Sequence, residues 1–186
     1  IGAVLLGIAK YQGGKIDINQ SIMSYMPQYN DIEDFENKNL IKVKDLLNQR
    51  HGLAWDEWTL PYENPGNPVT MMLQTQDWYR TVLEWPIAFT ADKDFAYSTG
   101  ASSLMSVILN NVTNQTPQEF IEENLYQPLD INDHHWELTQ ANGTIGQGLA
   151  IFPSNLAPLG HGIWLKPIDM AKIGELVRTG GIWQGQ

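Results

Sequence analysis

The chain has 186 residues, of which 42% are hydrophobic and 17% charged, which suits one domain with a sizeable core and excludes an intrinsically disordered segment. The formal net charge of −10 argues against nucleic acid or an anionic membrane as partner, because both bind basic surfaces. Without cysteine there is no disulfide, thiolate catalyst or cysteine-ligated zinc, and no apolar run suits a membrane span. We expect a single domain over residues 1–186, with no cofactor and no metal.

Glycine and proline divide the sequence into short segments with helical periodicity. The predicted strands are few, Trp136 to Thr139 and Leu149 to Phe152. Loops are predicted over 30–39 and 60–68. The predicted helices are Ile1 to Gly13, Gln20 to Met26, Val43 to Gln49, Pro68 to Glu84, Ala101 to Leu109, Pro117 to Asn124 and Asp169 to Arg178. The pattern therefore indicates a mainly α fold with long ordered loops.

The segment Phe95-Ala96-Tyr97-Ser98-Thr99-Gly100 precedes the apolar run Ala101 to Leu109. It predicts an extended segment that turns at Gly100 into a buried helix, with a phenol and two hydroxyls at the helix N-terminus. Such a terminus offers unpaired N–H groups and a positive dipole end to an acyl or anionic group. The segment resembles the Tyr-x-Asn motif of the penicillin-recognising serine hydrolases, with Thr99 in place of Asn.

Further segments match that family in the same order along nearly the whole chain. These include Gly14-Lys15-Ile16-Asp17, Ile41 to Leu47, His51-Gly52-Leu53, Phe120 to Ile131, Gly162 to Gly174 and Gly180 to Trp183. The family comprises class C β-lactamases, D-alanyl-D-alanine carboxypeptidases, esterases and 6-aminohexanoate-dimer hydrolases. The resemblance implies the helical region of a β-lactamase/transpeptidase-like α+β fold, with most of the antiparallel sheet missing.

The chain departs from the family pattern at two motifs. Neither Ser-x-x-Lys, which carries the nucleophile, nor Lys-Thr-Gly or His-x-Gly occurs in these residues. We therefore expect an internal fragment, inactive alone, of a serine hydrolase that cleaves a small amide, ester, β-lactam or peptide bond through an acyl-enzyme. The resemblance also favours a periplasmic or extracellular location over the cytoplasm.

The resemblance assigns roles to particular side chains. Tyr97 maps onto the catalytic tyrosine, which moves protons only beside a cation, because a phenol with a pKa of about 10 is otherwise a poor base. Thr99 maps onto the substrate-binding Asn, but a threonine hydroxyl donates only one hydrogen bond. Trp55 and His161 are the other predicted substrate-binding residues, and the loop Leu53 to Trp58 resembles the esterase side of the family.

Alternatives to these assignments remain open. Tyr97 could be a core aromatic, His51 a loop anchor, and Ser98 lacks a nearby base. A glycosidase-like acid at Asp56-Glu57 competes with a structural turn, since adjacent carboxylates rarely face one cleft. A metal at His134-His135 competes with a surface loop.

The seven tryptophans also suggest a different class of function, a non-catalytic ligand-binding or interaction module. A plain helical scaffold is a third hypothesis. If a missing sheet normally covers the first and central helices, we expect self-association through apolar faces that it leaves exposed. The residues predicted for these faces are Val4, Leu5, Ile8, Leu104 and Ile108.

Overall fold

The computed structural model describes residues 1–13, 16–136 and 156–185. Over these residues the chain forms short helices and one two-stranded sheet. The α-helices are α1 (Gly2–Gly13), α2 (Phe35–Lys38), α3 (Val43–Leu47), α4 (Pro68–Leu73), α5 (Trp78–Leu83), α6 (Thr99–Thr113), α7 (Pro117–Ile121) and α8 (Pro167–Arg178). Strands β1 (His134–Trp136) and β2 (Ile163–Leu165) pair antiparallel, with His135 opposite Trp164. No helix among the described residues has the length and apolarity to cross a membrane.

Helix α6 is the centre of the domain, and α1, α3, α4, α5 and α7 all pack against it. Its side chains are apolar or small on every face, so it is buried nearly all round from Thr99 to Leu109. Ser98 caps the N-terminus by accepting a hydrogen bond from the Ala101 N–H, and Asn114 ends the helix in the left-handed conformation. The prediction of a buried helix after Gly100 is confirmed.

The prediction of one continuous helix from Pro68 to Glu84 is wrong. The structure has two helices, since α4 ends at Leu73 and α5 starts anew at Asp77, whose carboxylate accepts the Arg80 N–H as an N-cap. The apolar periodicity is nevertheless real, since Met72, Trp78 and Tyr79 are all buried.

Other boundaries also shift. The predicted loop over 30–39 contains α2, whose Lys38 is buried and donates to the Trp85 carbonyl. Segment 20–26 is a 3₁₀ turn at Ile22–Tyr25. Helix α7 begins at a capping box that Thr116 and Glu119 form, and a π-helical turn, Glu122–Tyr126, continues it.

The predicted strands are only partly within the described residues. Trp136 ends β1, whereas the remainder of Trp136 to Thr139 and all of Leu149 to Phe152 lie outside them. Strand β2 was not predicted, because its three residues are too few to show alternation.

The faces predicted for self-association are largely covered within the chain. Leu5, Leu104 and Ile108 are buried where α1 and α6 pack together, so the expectation that they lie uncovered is wrong. Val4 and Ile8 are only partly buried and line a groove of about 850 Å³ together with residues of α8 and the C-terminal segment. Self-association of the chain stays a prediction.

Gly52 provides a test of how the loop after α3 is built. Its φ is +81°, and a Cβ there would overlap the Phe89 carbonyl oxygen, so Gly52→Ala meets both strain and a backbone clash. We expect Gly52→Ala to lower the free energy of unfolding by about 2–4 kcal/mol in urea titrations. Gly7 lies on an exposed turn of α1, where an added Cβ would have no neighbouring atom within 4 Å. Gly7→Ala should therefore raise the free energy of unfolding by up to about 1 kcal/mol. Equal stability of the Gly52→Ala protein would contradict this account.

Candidate active site

The segment before α6 is held in place by residues of the preceding loop. The Gln49 carbonyl accepts the Ala96 N–H at 2.8 Å, and its side-chain oxygen accepts the Ser98 N–H at 2.6 Å. The His51 Nε2 lies 2.9 Å from the Ala96 carbonyl. These contacts fix the backbone on both sides of Tyr97, which therefore lies just before α6 in a defined orientation.

Tyr97 is half-exposed rather than a core residue. Its ring packs on that of Trp58, with centroids 5.2 Å apart and an angle of 42° between the planes. Ser98, by contrast, is fully buried and its Oγ caps α6. The structure thus gives Ser98 a structural contact, while the Tyr97 phenol remains accessible at the helix N-terminus.

A pocket of about 530 Å³ lies beside this terminus. It brings together three of the four predicted site residues, namely Tyr97, Thr99 and His161. The described residues that line it are Tyr62, Val69, Leu73, Tyr97, Thr99, Gly160, His161, Gly162, Ile163 and Trp164. Neither Lys nor Arg of the described residues lines it, and most of the wall is apolar, so it suits a small, mainly apolar group.

Trp55 does not line this pocket. It is buried, only 4% exposed, and its ring packs behind Gly100, where a Cβ would lie 2.6 Å from the Trp55 Cη2 atom. The Trp55 ring also packs on Trp85, with centroids 5.0 Å apart. The indole thus supports the first turn of α6 from the core side.

Glu57 joins Trp55, Thr99 and Tyr62 in one hydrogen-bond network. The Glu57 Oε2 accepts the Trp55 Nε1–H at 2.5 Å and the Thr99 N–H at 2.8 Å. The Oε1 accepts the Thr99 hydroxyl at 2.7 Å and the Tyr62 hydroxyl at 3.1 Å. The residue is only 2% exposed, and the N-terminal end of the α6 dipole favours a negative charge there.

The phenol of Tyr62 is a hydrogen-bond donor at neutral pH. Burial, which has the larger effect, and the adjacent Glu57 carboxylate raise the pKa of Tyr62 to about 12. Its proton, like that of Thr99, is therefore directed to Glu57 rather than into the pocket. Asp56, next to Glu57, points to the surface and accepts bonds from Trp58 and Thr59, so the two adjacent carboxylates do not face one cleft.

His161 lies on the loop that closes the opposite side of the pocket. The Leu156 carbonyl accepts the Tyr79 hydroxyl at 3.0 Å, and the Ser106 Oγ accepts the Leu159 N–H at 2.8 Å. A Cβ at Gly160 would lie 2.6 Å from the Thr99 carbonyl oxygen, so only glycine permits this close approach to α6. The loop is thereby fixed against the helix, and His161 borders the pocket.

His134 and His135 lie on β1 and do not line this pocket. His134 Nε2 is 2.9 Å from a Glu122 carboxylate oxygen, and the His134 ring packs on Tyr126. Among the described residues, no group of three His, Cys, Asp or Glu side chains is arranged to hold a metal ion.

The contacts of Gln49 and Glu57 with the segment before α6 were not predicted from the sequence. Gln49 has no motif around it, and its role depends on a left-handed φ of 55° that aims its side chain at the Tyr97 segment. Glu57 was recognised only as one of two adjacent carboxylates. The available signal was the unusual placement of a carboxylate between Trp55 and Trp58, which suggests a buried, hydrogen-bonded acid.

His51 predicts a pH dependence of stability. Its Nδ1 accepts the Leu53 N–H, and Nε2 donates to the Ala96 carbonyl, so the folded protein holds a neutral imidazole. Burial lowers the pKa of His51 below 6.5, so the unfolded state binds more protons as the pH falls through 6.5. We expect the stabilisation from the neutral His51 to contribute fully to the free energy of unfolding above pH 6.5 and to be lost as the pH falls below it.

The test is urea unfolding at several pH values between 8 and 5. His51→Gln should flatten the decline on the acid side relative to wild type, whereas His135→Gln, on the exposed strand β1, should not. An identical acid decline in the His51→Gln protein would assign that decline to other groups.

Comparison with known proteins decides the family. The family model described as Beta-lactamase matches residues 1–181. The chain belongs to the β-lactamase family. A provisionally named D-alanyl-D-alanine carboxypeptidase of Escherichia coli (strain K12) is 24% identical over 158 residues, covering 76% of this chain and 35% of that protein.

Solved structures agree with this assignment to the β-lactamase family at the level of the fold. A provisionally named 6-aminohexanoate-dimer hydrolase from Bacillus anthracis superposes with a TM-score of 0.73 at 12% identity, covering 100% of this chain and 46% of that chain. A penicillin binding protein from Bacillus halodurans superposes with a TM-score of 0.67 at 15% identity, covering 96% of this chain and 58% of that chain. The β-lactamase-family chain spans about a third of the length of the curated relatives that it matches.

Proposed function

We propose that the full-length protein is a serine hydrolase that cleaves a small amide or ester bond through an acyl-enzyme, with Tyr97 as a proton-transfer group. The observation that carries the proposal is the accessible Tyr97 phenol in the wall of a pocket at the N-terminus of α6. Such a site places a proton donor and acceptor beside a reacting acyl group. A periplasmic or extracellular location, as the family resemblance suggests, belongs to the same proposal.

The chemistry requires groups that these residues do not contain. A tyrosine shares its proton near neutral pH only beside a cation, and neither Lys nor Arg lines the described pocket. In the resembled family the Ser-x-x-Lys motif supplies both nucleophile and cation, and it does not occur in the 186 residues. The proposal therefore assigns the serine and lysine to residues outside this sequence, and the 186-residue chain alone is inactive.

The structure around Thr99 bears on the substrate. The Thr99 hydroxyl gives its one proton to Glu57 at 2.7 Å, so it cannot donate to a substrate carbonyl as the family's amide does. The mostly apolar lining suits a small acyl or amine group. These two features favour small esters and amides over β-lactams.

The test is turnover by the purified full-length protein and by the 186-residue chain. We expect saturable hydrolysis of p-nitrophenyl acetate by the former, weak or absent cleavage of a chromogenic cephalosporin, and covalent labelling of one serine by a fluorophosphonate probe. The 186-residue chain should show none of these. Saturable turnover by the chain alone, surviving repurification, would overturn the fragment proposal.

A non-catalytic binding module is the second candidate. Trp164 lines the pocket and Trp58 packs on Tyr97, and both indoles are more than half exposed, as in many aromatic ligand sites. Ligand-dependent quenching of tryptophan fluorescence without any turnover or serine labelling in the full-length protein would favour this function over hydrolysis.

A further inference from the structure

Glu57 determines which way two hydroxyl groups of the pocket wall face. A hydroxyl has one proton and two lone pairs, so a hydroxyl that donates to one partner can only accept from another. Thr99 and Tyr62 both line the pocket, and both donate to Glu57 Oε1. Neither hydroxyl therefore has a proton left to donate to a molecule in the pocket, and only its lone pairs remain available.

The remaining contacts of Glu57 leave no alternative arrangement of these protons. Oε2 accepts two N–H groups, from the Trp55 indole and the Thr99 backbone, which can only donate. A carboxylate accepts all four hydrogen bonds at once, and its charge lies directly behind the pocket wall.

We propose that Glu57 is a positioning residue that makes this wall of the pocket a hydrogen-bond acceptor, so that the site selects substrates bearing an N–H donor, preferably an ammonium, next to the scissile bond. The inference concerns the substrate class and rests on the proposed hydrolase function. Substrates that carry a carboxylate at the same place are disfavoured, since they meet lone pairs backed by a negative charge.

The substitution Glu57→Gln inverts the wall with little change in shape. The amide oxygen is needed by the two N–H donors, so the amide NH₂ faces the Thr99 and Tyr62 oxygens. Those hydroxyls then accept from the amide and turn their protons into the pocket. A wall of acceptors becomes a wall of donors, which no longer attracts an N–H group.

The experiment compares matched p-nitroanilides with the full-length protein. Alanine p-nitroanilide carries an ammonium, isobutyryl p-nitroanilide carries a methyl group instead, and methylmalonyl mono-p-nitroanilide carries a carboxylate. N-acetylalanine p-nitroanilide keeps an N–H without the charge and so separates the two contributions. We expect kcat/KM for the alanine compound to exceed that for the isobutyryl compound by about tenfold to a hundredfold, the range for a hydrogen bond with a charged partner.

The variants test the route through Glu57. Glu57→Gln should bring this ratio close to one, Thr99→Val should reduce it because only the Tyr62 acceptor remains, Thr99→Ser should retain it, and the exposed Glu63→Gln serves as the matched control. Thr99→Val keeps the test valid if Glu57→Gln fails to fold. A ratio near one in wild type overturns the proposal, and so does an equal loss for both substrates in the variants, which marks a purely structural role.

A binding measurement separates this inference from the hydrolase proposal. Tryptophan fluorescence titrations with alaninamide and isobutyramide report the same preference without bond cleavage. One outcome is that no p-nitroanilide or ester is turned over, while alaninamide binds more tightly than isobutyramide to wild type but not to Glu57→Gln. The hydrolase proposal then fails, and the inference about Glu57 is supported. Absence of both turnover and binding preference overturns both.

Discussion

The Tyr97→Phe variant of the full-length protein is expected to hydrolyse ester substrates with a kcat lowered by about two to four powers of ten, the range for removal of a proton-transfer group. The change removes one hydroxyl from a half-exposed ring and leaves the packing of that ring on Trp58 intact. Stability should therefore stay within about 0.5 kcal/mol of wild type, as for other surface changes. Steady-state kinetics and urea unfolding of the same preparations measure the two effects.

The matched control is Tyr11→Phe, at a side chain 95% exposed on α1. It removes the same hydroxyl far from the pocket and should leave both kcat and stability unchanged. Wild-type turnover by Tyr97→Phe, with the serine still labelled by a fluorophosphonate, would show that the phenol has no part in proton transfer.

Trp55→Ala is expected to lower the free energy of unfolding by about 3–5 kcal/mol, the usual cost of truncating a buried aromatic side chain. The Trp55 ring fills the space behind Gly100 and packs on Trp85. Its loss also removes one of the donors to the buried Glu57, which adds the cost of a less well satisfied charge. Urea unfolding monitored by circular dichroism measures this loss.

Trp58→Ala is the matched comparison, because Trp58 is 69% exposed and only three residues away. We expect a stability change of no more than about 0.5 kcal/mol there. If instead Trp55→Ala unfolds like wild type while KM rises, then Trp55 contacts substrate as the sequence analysis assigned it, and its burial behind Gly100 is not the dominant effect.

Several features could be predicted because they depend on neighbours in the sequence. The apolar run after Gly100 predicts α6, and Thr116-Pro117 with Glu119 predicts the start of α7, since capping and periodicity act within one or two turns. The family resemblance likewise rests on short segments in a fixed order. Even the break between α4 and α5 has a local cause, the cap at Asp77, which the longer periodicity obscured.

The sequence by itself determined the mainly helical architecture, the central helix and the position of Tyr97 at its N-terminus. Only the tertiary structure decided which of two nearby tryptophans is buried and where the Glu57 carboxylate points. Glu57 meets Thr99 across 42 positions of the chain. Periodicity records which face of a helix is apolar, but it does not record which distant side chain completes a buried charge, because that depends on how the loops pack.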